Sequence, residues 1–69
     1  MYCVIEICDG EVIGCHHTTM KKRAIEHACK SAAEVGGQDA SNYKLQFTRR
    51  WRVSEDEWSI EIIRSDALK

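Results

Sequence analysis

Residues 43–64 read YKLQFTRRWRVSEDEWSIEIIR, and the alternation within them decides the fold. Tyr43, Leu45 and Phe47, then Trp51 and Val53, recur at every second position, and Trp58, Ile60 and Ile62 do the same beyond the acidic SEDE. Successive strand side chains point to opposite faces, so this spacing predicts two strands, Tyr43–Val53 and Trp58–Arg64, joined by a four-residue turn. Counting back from that turn sets Val53 opposite Trp58, Trp51 opposite Ile60, Arg49 opposite Ile62 and Phe47 opposite Arg64. The apolar set shares one face. Lys44, Gln46, Thr48, Arg50 and Arg52 share the other with Ser59, Glu61 and Ile63, where Arg50 across from Glu61 is a favourable pair.

Before this stretch, GQDASN reads as a loop, and a helix is expected from about Met20 to Val35 or Gly36. Thr18 and Thr19 are expected to cap its start, and Gly36–Gly37 supply the left-handed stop. Its inward stripe is Ile25, Ala28, Cys29 and Ala32, followed by Val35 or Gly36. Lys22, Arg23, Glu26, His27, Lys30 and Glu34 lie on its wetter sides. Nearer the N-terminus, YCVIEIC and EVIGCHH flank Asp9-Gly10, a strong signal for a type I′ hairpin because both central residues need positive φ. Pairing Cys8 with Glu11 puts Ile7 opposite Val12, Ile5 opposite Gly14 and Cys3 opposite His16. Cys3, Ile5, Ile7, Val12, Gly14 and His16 then form the more apolar face, expected to look inward. Val4, Glu6, Cys8, Glu11, Ile13, Cys15 and His17 are expected to look outward.

The elements add up to an α+β fold of β-β-α-β-β order, two hairpins forming one antiparallel sheet with one helix packed on one face. The 69 residues suit a single small domain over 1–69, with Asp66–Lys69 expected to fray. A core this small leaves stability marginal, so self-association, a metal or disulfides are natural supplements. Cys3, Cys8, Cys15 and Cys29 are too sparse for a disulfide scaffold, and MYCVIEICDG lacks the basic and long apolar segments of a secretory leader. A cytoplasmic protein is expected, with no membrane association, since no run approaches the roughly 20 apolar residues of a span. The net charge of -1 argues against a dedicated phosphate binder.

GCHHTT, residues 14–19, resembles the start of a metal site. Strand alternation divides it, sending His16 inward and Cys15 and His17 outward. Cys8 should lie about 13 Å along the ladder from Cys15. The convergent set that this register allows is Cys3 and His16 with Cys29 reaching down from the helix, a metal or thiol sensor as one functional alternative. Cys15 and His17 have no evident oxyanion donors, VGGQ lacks the spacing of a phosphate loop, and EDE reads as a charged turn. No catalytic residue and no cofactor is expected, and the protein is read as a non-enzyme.

A second alternative is nucleic-acid binding along Lys44, Arg50 and Arg52 on one strand face. The leading expectation is protein binding, by an adaptor, inhibitor or regulator that pairs with a partner or with itself as a homodimer. A strand from Tyr43 to Val53 would span about 36 Å, whereas a helix of 16 or 17 residues covers only about 25 Å. Arg49, Trp51, Val53 and Trp58 are therefore expected to project at the hairpin tip as an aromatic, Arg-rimmed anchor patch. Val4, Ile13 and Ile63 on the outer sheet face add to the candidate interface.

Overall fold

The computed structural model describes residues 1–64, so the expectation for Asp66–Lys69 lies outside the described residues. The chain runs β1 (Tyr2–Cys8), β2 (Glu11–Thr18), α1 (Lys21–Gly36), α2 (Ser41–Arg50), β3 (Arg52–Ser54) and β4 (Trp58–Arg64). One open antiparallel sheet, in the order β2-β1-β4-β3, carries both helices on one face. The fold is α+β, and its order is β-β-α-α-β-β. The expected single helix is corrected to two because most of the expected strand Tyr43–Val53 belongs to a helix, Ser41–Arg50.

The first hairpin turns as its sequence requires. Asp9 has φ 52° and Gly10 φ 81°, the positive pair of a type I′ turn. Cys8 pairs with Glu11 and Ile7 with Val12, but a bulge follows, and Glu6 then pairs with Gly14, Ile5 with Cys15, Val4 with His16 and Cys3 with His17. The extra residue is Ile13. A bulge of one residue moves every later position of β2 to the opposite partner face. Val4, expected outside, is fully buried under the helices together with its partner Ile62 on β4. Cys3, Ile5 and Ile7, expected inside, point to the face that the helices leave bare.

Helix α1 is rich in alanine, and Ala24, Ala28 and Ala32 are fully buried, so the helix lies close to the sheet. Its start is not capped by a threonine. The N-cap is Met20, and the Thr18 hydroxyl accepts a hydrogen bond only from the Met20 N–H at 3.3 Å. Its end follows the sequence: Gly37 adopts a left-handed φ of 74° and returns its N–H to Ala33. Helix α2 begins after only Gln38–Ala40 and buries Tyr43 and Phe47, four residues apart, leaving Leu45 57% exposed. Trp51 ends it in the left-handed region at φ 60°, with Arg49 and Arg50 in the last turn, where positive charge suits the helix dipole.

The core joins Val4, Val53, Ile60 and Ile62 of the sheet to Ile25, Cys29 and the alanines of α1 and to Tyr43 and Phe47 of α2. Around the second turn, Val53 pairs with Ile60 and Arg52 with Glu61. The expected Val53–Trp58 and Arg50–Glu61 pairs are thus displaced by two residues, because Ser54 pairs with Ser59 and Glu55 donates its N–H to the Trp58 carbonyl. A two-residue shift preserves the faces, so Trp58, Ile60 and Ile62 still turn toward the helices.

Candidate functional site

The bulge at Ile13 builds a chemically distinctive site among the described residues. Cys3 and His17 are directly opposed, and Cys15 lies two residues from His17 on the same side of β2. The Sγ atoms of Cys3 and Cys15 are 3.0 Å apart, and both lie with a His17 ring nitrogen within 4.8 Å of one another. Cys3 is buried, whereas Cys15 and His17 are exposed. Burial, with the adjacent Cys15 thiol adding to it, pushes Cys3 up to about 11, so at neutral pH it is a thiol rather than a thiolate nucleophile.

The expected set of Cys3, His16 and Cys29 does not converge. His16 lies on the helix side of the sheet, stacked on His27 of α1 with ring centroids 4.0 Å apart, while Cys3 faces the other way. Cys29 is buried in α1, where burial raises its pKa and Lys44 partly offsets the rise. His27 also lies 3.8 Å from the Glu6 carboxylate. Its pKa is lowered, first by burial and then by His16, with Glu6 acting in the opposite direction. Two histidines adjacent in sequence thus serve opposite faces, His16 under the helix and His17 beside the thiols.

The tip residues are drawn inward by α2. Val53 is buried, and Trp51 and Trp58 are half-buried against the core. Trp51 stacks on Tyr2 with centroids 6.0 Å apart and carries the Lys21 ammonium 4.7 Å above its ring. Trp58 meets Tyr43 edge-on at 6.1 Å, beside Gly36. The helix expected to fall short of these rings is supplemented by a second helix, so they do not stand uncovered beyond it. Arg49 remains exposed at the end of α2.

Lys44, Arg50 and Arg52 do not form one strand stripe. Lys44 and Arg50 belong to α2, where six residues place them on different sides of the helix, and Arg52 opens β3 opposite Glu61. Lys44 instead joins Lys21 and Lys22 around a shallow groove floored by Ile25, with Glu26 at its margin.

The helix-free face of the sheet presents Ile5 and Ile7 from β1, Val12 from β2 and Ile63 from β4. Val12 is 64% exposed, and the isoleucines are half-buried. Of the outer-face residues expected from sequence, Ile63 lies here, Val4 is in the core, and the bulged Ile13 borders a pocket with Ser31, Glu34 and Val35 of α1. Strand alternation grouped Ile5, Ile7 and Val12 correctly, but this more apolar set was expected to look toward the helix, and it faces away while Val4 fills the core.

Among the described residues no helix is long and apolar enough to cross a membrane. Comparison with protein-family models, with curated proteins and with solved structures finds no match to this chain.

Proposed function

We propose that the protein is a non-enzymatic binding module whose partner is a second copy of itself, docked through the helix-free face of the sheet. The observation that carries the reading is the stripe of Ile5, Ile7, Val12 and Ile63 on a face that the chain's own helices leave bare. A two-layer domain with one apolar face open gains most by covering it, and a small domain has the greatest need of the buried area. Each partner of a stable interface buries roughly 800 Å², and the stripe of Ile5, Ile7, Val12 and Ile63 contributes apolar area toward it.

Charge supports a like-with-like pairing. The strand positions on this face carry one acid and one strong base, Glu61 and Arg52, directly opposite each other, so two copies approach without net repulsion. Pairing edge to edge is less favourable, because the exposed edge strand β2 is interrupted by the Ile13 bulge. Such a module acts by shape, as an adaptor, inhibitor or regulator.

Sedimentation equilibrium on the reduced, metal-free chain at high micromolar concentration tests the reading. The unaltered protein is expected at twice its chain mass, and Ile7→Lys, which places a charge in the stripe, is expected to be a folded monomer. A strictly monomeric wild type at that concentration would sink it.

A further inference from the structure

We propose that Cys3, Cys15 and His17 form a zinc-binding site, with two cysteine sulfurs and one imidazole nitrogen as ligands and a fourth position that the chain itself leaves unfilled. All three ligands come from one chain, so the site does not require the proposed dimer, although it shares the helix-free face with the docking stripe.

Geometry is the first support. Zn–S bonds of about 2.3 Å and Zn–N bonds of about 2.0–2.1 Å set tetrahedral ligand atoms about 3.3–3.8 Å apart. The two sulfurs and the imidazole nitrogen already lie within 4.8 Å of one another, so side-chain adjustments of about 1 Å close the set around an ion. No backbone movement is needed, because direct opposition of Cys3 with His17 and the two-residue spacing of Cys15 and His17 aim all three at one side of the sheet.

The donor set selects the metal. Thiolates and imidazole suit zinc, whereas magnesium and calcium require oxygen ligands that this group lacks. Binding releases the thiol protons of Cys3 and Cys15 to solvent, and neutral His17 donates a ring-nitrogen lone pair, so the bound centre carries no net charge. Three protein ligands with Cys15 and His17 exposed leave a coordination position for water or an incoming ligand, unlike a closed structural site of four.

A disulfide is the competing use of the two sulfurs, and the strand register disfavours it. Cys15 stands opposite Ile5, so Cys3 and Cys15 are diagonal neighbours. Diagonal Cα atoms lie about 7–8 Å apart, beyond the roughly 4.4–6.8 Å that a disulfide spans. An ion bridges that distance more easily than an S–S bond.

The test is titration of the reduced chain with Co²⁺ and then Zn²⁺. The expected result is one Co²⁺ per chain, with thiolate-to-cobalt charge-transfer absorption and tetrahedral d–d bands that zinc abolishes. Cys15→Ser and His17→Gln change exposed positions and should keep the fold while weakening zinc binding by more than about 100-fold, the upper range seen when outer-shell partners alone are lost. Cys8→Ser should bind like the unaltered chain, and so should Ile7→Lys, which separates this site from the dimer. An octahedral cobalt spectrum, no charge-transfer band, or unchanged zinc affinity in either ligand variant overturns the proposal. The spectrum of the unaltered chain decides the matter even if a variant unfolds.

Discussion

Strand β1 and helix α2 both contain apolar residues at every second position, and the two put them to different uses. In β1, Val4 is fully buried while its neighbours Cys3 and Ile5 turn to the opposite face, the ordinary two-residue period of a strand. In α2, Tyr43 and Phe47 are buried while Leu45 between them is exposed, so the period in use is four rather than two. The difference follows from available partners. β1 is hydrogen-bonded along both edges, to β2 and to β4, so an extended backbone satisfies its polar groups. Within 41–54 only Arg52–Ser54 finds a strand partner, and the preceding backbone satisfies itself by coiling, which also delivers two aromatic rings to the core.

The largest test of that contrast compares two residues of α2. Phe47→Ala should lower the unfolding free energy by about 3–5 kcal/mol in urea titration, enough to threaten the fold, because the ring is fully buried. Leu45→Ala should stay within about 0.5 kcal/mol. Equal losses at the two positions would restore a strand alternation over 43–47.

Gly36→Ala comes next. A Cβ there would collide with the buried Tyr43 hydroxyl and come within 3.0 Å of the Trp58 ring. Overpacking of this kind costs about 1–3 kcal/mol and should outweigh the roughly 1 kcal/mol that alanine gains over glycine in a helix. A stabilised variant would show that α2 does not pack here.

The first hairpin offers a smaller and more local test. Gly10→Ala has open space around its Cβ but keeps a φ of 81°, so backbone strain alone should cost about 1–2 kcal/mol. Gly14→Ala meets only the Glu6 side chain, whose carboxylate can swing aside, and should cost less. A Gly14 penalty exceeding that at Gly10 would mean that the bulge, rather than the turn, sets the register.

The smallest expected effect is on pH dependence. His27 has a folded pKa below its ordinary 6.5, through burial and then the stacked His16, against the opposing pull of Glu6. The unfolded chain therefore binds more protons across the window between the lowered value and about 6.5, and stability falls as pH drops through that window. His27 is 36% exposed, so the slope should be shallow. The urea midpoint should decline slightly from neutral pH to just below that window, and His27→Gln should flatten the decline.

Much of this was legible in the residues. Asp9-Gly10 specified its turn, Gly37 its helix stop, and Ile25, Ala28, Cys29 and Ala32 their buried stripe. The strand Trp58–Arg64 was read with its faces correct, since an error of two residues in pairing leaves every side chain on its own side. The site was less legible. One unsignalled bulge residue, Ile13, exchanged His16 for His17 beside Cys3 and brought in Cys15. A clue to the second helix was present as a misfit, since a strand of about 36 Å would have outrun both α1 and the seven-residue β4.

Local chemistry thus determined the turns, the amphipathic helix α1 and the strand-forming runs, because φ preferences and side-chain periodicity act over a few residues. Tertiary structure decided the conformation of 41–50, the register past the bulge and the three residues that meet at the sulfur site. Those outcomes depend on which backbone finds a hydrogen-bonding partner and which ring fits the space between α1 and the sheet, and neither quantity is written in any single stretch of the chain.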